Sequence, residues 1–309
     1  MAAPFDAVLL IAFGGPTSIE EVRPFLANVV RGRTIPAERL DAVVHHYEII
    51  GGHSPLNALT FRQAEGLRSE LARQGRPLPV YVGMRNWSPY LHETLDLMQR
   101  EGIRQAVGVI LAAQQSDASW GRYQRDVADA RAALDGNAPE VDFVPGWHAH
   151  RLFIDAVAEQ ARAALASIPA DQRSALSLIF TAHSIPTAMA ATAPYEAQLR
   201  EGAALVAERL GIPSHVLAYQ SRSGSPREPW LEPDILTTIR TEAARGARQL
   251  LVVPLGFVCD HVEVLYDLDV EARQVAADAG LGFARAATVN DHPTFIRMLA
   301  AVVGAHVGR

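Results

Sequence analysis

His183 closes an apolar run, Leu176-Ser-Leu-Ile-Phe-Thr-Ala182, and Ser184, Ile185 and Pro186 follow it. A proline so soon after the run breaks the strand and fixes a loop, which places the imidazole at the rim of a sheet rather than inside it. There it can serve as a base or metal ligand, or simply bond a loop carbonyl, and position alone leaves both readings open. Further along, Glu263, Asp267 and Glu271 recur at intervals of four within Gly256 to Glu271. If a helix begins near His261, these carboxylates line one face over roughly 12 Å. Like charges at that spacing destabilise an isolated helix by a few tenths of a kcal/mol per pair. A hydrated divalent cation passing along the row would turn repulsion into attraction, because hard cations take carboxylate and water oxygens. The ordinary alternative is a solvated acidic face, which Leu265 and Tyr266 beside the row make less apt.

Other residue patterns carry less. His148 and His150 have the spacing of a strand pair of ligands but flank an expected domain linker, and His45-His46 sit side by side on an amphipathic helix, where neighbours diverge. Neither G-x-S-x-G nor G-x-G-x-x-G occurs, against a hydrolase elbow and a dinucleotide fold. The turns Gly14-Gly15-Pro16 and Ser221 to Pro226 could cradle an anion with backbone N–H groups.

The elements that must position these groups read as an α/β pattern. Apolar runs at 7–13, 80–84, 106–113, 141–145, 176–183, 216–220 and 250–258 suit strands covered on both faces, hence parallel sheets. Helical spacing occupies 22–29, 40–47, 89–100, 122–134, 152–165, 196–210, 232–245, 263–279 and 293–306. Four runs precede Gly146 and three or four follow Ser174, which predicts two sheets of similar build facing a central cleft. The expected halves are residues 1–146 and 147–290, the second carrying both candidate groups. In open α/β sheets ligands sit at the carboxyl ends of strands, where both candidate groups fall.

Composition bounds the chemistry further. The chain has 309 residues and a formal charge of −6, and all 28 basic residues are arginine. Without lysine there is no Schiff base, no pyridoxal-phosphate anchor and no G-K-[ST] phosphate loop. The acidic balance argues against a nucleic-acid surface. The lone Cys259 excludes an intramolecular disulfide and a four-cysteine cluster, and no apolar run reaches the length of a bilayer span. With no basic segment in Met1 to Pro16, the chain reads as soluble and cytoplasmic.

Taken together, the strand-end segments resemble the ferrochelatases over about Val8 to Val303. The markers are Phe13-Gly-Gly-Pro16, Arg31-Gly-Arg33, Tyr47 with Gly51-Gly-His-Ser-Pro-Leu56, Gly83-Met-Arg-Asn-Trp87, Thr181-Ala-His-Ser-Ile-Pro186, Gln220-Ser221, Pro229-Trp-Leu-Glu-Pro-Asp234 and Gly256 to Asp269. The resemblance implies two Rossmann-like halves of type II chelatase build, with a C-terminal helix at about 291–308 packing back on the first (1–146) and the metal-site residues on the second (147–290), and an enzyme of haem biosynthesis that inserts Fe²⁺ into a porphyrin. By likeness, His183 and Glu263 hold the metal and are catalytic, with Asp267 and Glu271 continuing the metal row. Ser54, Tyr123, Arg31, Phe13 and Tyr47 match porphyrin-contact positions, and Arg33, Arg85 and Arg122 add positive charge near the propionates. Phe13 stands where some relatives carry tyrosine, and Asn86 where some carry histidine. With Cys259 alone no iron–sulfur cluster is expected, nor any other prosthetic group, and Fe²⁺ enters as substrate. The short first loop and the likeness to the soluble bacterial enzymes favour coproporphyrin III over protoporphyrin IX. A monomer in transient contact with neighbouring haem-pathway enzymes is expected. A non-catalytic tetrapyrrole carrier and a two-lobed nucleotide-sugar transferase are the more distant alternatives.

Overall fold

A computed structural model describes residues 5–32, 36–134, 137–223 and 227–308. Arg33 lies outside the described residues, as do Gly224, Ser225 and Pro226 of the second expected anion-binding turn. The chain divides into two compact units, Met1–Leu111 with Ala118–Gly146 and Asp291–Arg309, and Ala112–Asp117 with Trp147–Asn290.

The first unit is built on β1 (Ala7–Ala12), β2 (Val80–Met84), β3 (Gln105–Ile110) and β4 (Glu140–Phe143), all parallel, in the order β2-β1-β3-β4. The second repeats the plan with β5 (Leu176–His183), β6 (Val216–Gln220), β7 (Gln249–Val253) and β8 (Gly282–Arg285), in the order β6-β5-β7-β8. The expectation of an α/β chain with two helix-flanked parallel sheets is borne out. Central β1 is almost wholly buried, because helices cover both of its faces and every residue must be apolar or small. The chain turns outward from β1 and from β5 in both directions, so each sheet has its topological switch point beside that strand, where open α/β sheets take their ligands.

Besides short helical turns, a long helix and an edge strand escape the sequence reading. The 18-residue helix Leu56–Arg73 buries Asn57, Thr60 and Gln63 alongside Leu59, Leu67 and Leu71, so its inner face is not apolar enough to read as a stripe. It packs against the last helix, Pro293–Val307, where Gly66 lies under Ile296. The edge strand β8 is four half-buried residues, Gly-Phe-Ala-Arg, with no apolar run at all.

The expected single α-helix over 263–279 is also corrected. It is α-helical at Val262–Leu265, a π-helix at Asp267–Ala272 and α-helical again at Arg273–Asp278. In the wide turn the amide of Glu271 donates to the carbonyl of Tyr266, five residues back, at 3.0 Å. The cause is on the buried side. Val264, Leu268, Ala272 and Ala276 recur every four residues and all lie fully buried in the core of the second unit. A row spaced by four drifts around an α-helix by about 40° per step, and the slower winding of a π turn takes back part of that drift.

Candidate active site

His183 is the last residue of β5, paired in register with Gln220, the last of β6. Its strand can end there because Gly256, just beyond β7, lies flat against it: a Cβ on Gly256 would come within 2.7 Å of the Ala182 backbone. The Tyr195 hydroxyl donates to the His183 carbonyl at 2.9 Å. The imidazole Nδ1–H donates to the Ser184 carbonyl, which aims Nε2 at the Glu263 carboxylate, Oε1, 3.6 Å away. Burial is the largest single influence on His183 and would lower its pKa, but the Glu263 charge and hydrogen bond, the Ser184 carbonyl and the Asp267 charge together outweigh it and push the imidazole up to about 9. Reciprocally, burial would raise Glu263, and the neighbouring imidazolium holds it below the usual carboxylate value. At neutral pH the pair is therefore charged on both sides.

His261 caps the start of the acidic helix, its Nδ1 accepting from the Glu263 amide at 3.2 Å. That bond needs an unprotonated Nδ1, and burial accordingly lowers the pKa of this ring. Next along the row, Asp267 is raised to about 7, first by burial and then by the Glu263 charge, despite a hydrogen bond from the Ser221 hydroxyl. Glu271 is also raised, by burial and by Asp234. The structure thus sets His183 directly against Glu263, with Asp267 and Glu271 following as electrostatically coupled steps. Among the described residues no three His, Cys, Asp or Glu side chains close into a metal cage. The four expected metal residues form a track rather than a chelate.

The raised pKa of Asp267 has a measurable consequence. An acid whose folded pKa stands above its unfolded value penalises the fold once it ionises, so the penalty grows as pH climbs from 3.8 to about 7. Asp267→Asn is expected to raise the melting temperature more at pH 8 than at pH 5; an equal gain at both values would show that charge is not the cause.

In the first unit the candidate porphyrin-contact residues gather around the end of β1. Phe13 is 38% exposed and meets Phe25 edge-on, and Phe25 in turn meets buried Tyr47 and Trp87. The Arg85 guanidinium lies 5.8 Å from the Phe13 ring centroid and 6.0 Å from that of buried Tyr123, and pairs with Asp126 at 2.8 Å. Burial raises the Tyr123 hydroxyl, which therefore stays protonated. Asn57 exchanges two 2.9 Å hydrogen bonds with the backbone of Gly15, and the amide of buried Ser54 donates to the Pro16 carbonyl, which fixes the first loop. Arg31 is exposed and donates to Asn28 at 2.7 Å, Asn28 in turn donating to the Asn86 carbonyl, while Arg122 pairs with Asp126.

Several contributors are silent in the sequence. Ser221, Tyr195 and Arg285 act through contacts made by the fold, only the Gln220-Ser221 motif hinting at the first of them, and His261, expected near the helix start, acts as its cap. The weaker histidines have structural tasks: His150 caps the helix Arg151–Ala166, His148 meets Glu201 at 2.9 Å, and His45 meets Glu48 at 3.1 Å.

Comparison with known proteins identifies the family. The ferrochelatase family model matches residues 5–307. The coproporphyrin III ferrochelatase of Mycolicibacterium smegmatis is 44% identical over 298 residues, 96% of this chain and 88% of the relative. That of Nocardia farcinica is 42% identical over 310 residues, 98% and 88%. Among solved structures, SirB from Bacillus subtilis with Fe³⁺ matches with a TM-score of 0.59 at 9% identity, covering 98% of this chain and 96% of that one. The multi-domain DR2241 of Deinococcus radiodurans, described as similar to chelatases, matches at 0.55 and 17% identity; this chain spans 56% of its length. These two share the fold. No helix among the described residues is long and apolar enough to cross a membrane. With a family model that spans all but the chain's outermost residues, and relatives more than two-fifths identical along nearly its whole length, the chain belongs to the ferrochelatase family.

Proposed function

We propose that this chain inserts Fe²⁺ into coproporphyrin III to give Fe-coproporphyrin III in haem biosynthesis. The observation that carries the reading is the 3.6 Å approach of His183 to Glu263 at the head of the acidic track. Insertion exchanges two pyrrole protons for one dication, so the site must offer negative charge to iron and a place for protons. Glu263, held ionised, draws the cation. As a dication replaces the imidazolium as its counter-charge, His183 gives up its proton to water, and the neutral ring is then free to ligate iron or to accept the two pyrrole protons in turn, passing each on to water. Asp267 and Glu271 supply iron from behind, and the absence of a closed cage suits a metal that must be handed on. Ser54, Tyr123, Arg31, Phe13 and Tyr47 contact the porphyrin. The enzyme works as a cytoplasmic monomer with no resident prosthetic group.

Coproporphyrin III has four propionates where protoporphyrin IX has two and two vinyl groups, and the named activity of the relatives favours the first. Anaerobic incubation with Fe²⁺ and each porphyrin, followed by absorbance, tests both levels. A kcat/KM at least about tenfold higher for coproporphyrin III is expected, since a site built for a polar group rejects the analogue lacking it. Equal or reversed values would overturn the substrate, and no metalloporphyrin from either would overturn the reaction.

A further inference from the structure

Ser221 follows β6 and the site residue Gln220, and its backbone sits at φ 61°, in the left-handed region that a serine enters only under constraint. Glycine would occupy this conformation freely. What serine adds is its hydroxyl, which donates to the Asp267 carboxylate. One residue earlier, the buried Gln220 side chain donates from Nε2 to the backbone carbonyl of Glu263 at 2.5 Å. The end of β6 therefore holds the acidic helix at two points one turn apart, and the same Gln220 is the register partner of His183. Strand pairing, amide and hydroxyl form one connected frame running from the imidazole to the second carboxylate.

We propose that Ser221, with Gln220, is a positioning residue for iron transfer: the pair fixes the Asp267 carboxylate behind Glu263, so that iron passes between them toward His183. This deepens the reading under Proposed function and rests on it. Neither residue touches iron in this scheme. Groups that orient metal-handling side chains govern metal affinity without governing the fold. Ser221→Gly is the informative substitution, because it relieves the left-handed backbone, removes the hydroxymethyl group that reaches Asp267 and is not expected to impair folding.

In Ser221→Gly the KM for Fe²⁺ should rise about tenfold, the usual effect of losing such a partner, while the KM for porphyrin and the melting temperature are not reduced. Ser221→Asn, whose side chain tolerates the left-handed backbone and can donate an amide hydrogen to Asp267, should restore most of the loss. An Fe²⁺ KM within twofold of the unsubstituted chain in Ser221→Gly would overturn the proposal, as would an equal loss for both substrates. Hydrogen exchange reads the frame without the chemistry: amides of Tyr266 to Glu271 should exchange faster in Ser221→Gly. If the unsubstituted chain made no metalloporphyrin, the functional reading would fall, and unchanged exchange in Ser221→Gly would separately remove the frame.

Discussion

His183→Ala is expected to lower the rate of iron insertion by about a thousandfold, the middle of the range for loss of a general acid or base, with porphyrin binding still measurable. Removing the ring removes the partner that keeps Glu263 ionised against its burial, so both sides of the pair fail together. Glu263→Gln should be as damaging for the opposite reason: a neutral amide no longer attracts the cation, and the imidazole loses the charge that lifts it to about 9. Because entering metal displaces one proton, apparent Fe²⁺ affinity should strengthen with pH up to about 9, by at most about tenfold per pH unit. In Glu263→Gln that dependence should end at a lower pH, nearer the ordinary imidazole range. Activity within tenfold of the unsubstituted enzyme in either variant, or a profile unmoved by Glu263→Gln, would remove the pair from the reaction.

The largest effect on stability should come from Arg285→Met. Arg285, on β8, is 11% exposed and donates to both oxygens of Asp269 at 2.8 and 2.6 Å and to Asp260 at 3.0 Å. Asp269 lies in the π turn and Asp260 in the loop before the helix, so one guanidinium ties the acidic helix to the sheet edge from the side opposite Ser221 and Gln220. A methionine of similar length leaves two largely buried carboxylates without their main counter-charge, which costs about 3–5 kcal/mol. Chemical denaturation of the variant should register a loss of that order. Asp269→Asn in the same background should recover part of it, since the neutral amide needs no cation. A loss below 1 kcal/mol would mean that Arg273, which also approaches Asp269 at 3.4 Å, suffices to hold the turn.

The strands were legible because both faces of the parallel sheets are covered, leaving uninterrupted apolar runs such as Ala7 to Ala12. His183 and the acidic row were legible for the same local reason, a strand end marked by Ser184-Ile-Pro186 and a charge repeat. The long helix Leu56–Arg73 was hidden because hydrogen-bonded polar side chains fill its inner face, and β8 because an edge needs no apolar run. The π turn had a signal that a helical template with a period of 3.6 overlooks: acids at 263, 267 and 271 and core residues at 264, 268, 272 and 276 both repeat every four.

The sequence by itself determined the class of fold, the family and the candidates proposed to handle iron, because these depend on short segments and their order. Only the tertiary structure decided that His183 meets Glu263 eighty positions away, that Ser221 and Gln220 hold the track on one side and Arg285 on the other, and that the imidazole carries a proton at neutral pH. Those outcomes arise from desolvation and from charges brought within a few ångströms, and both come into being only when distant strands pack together.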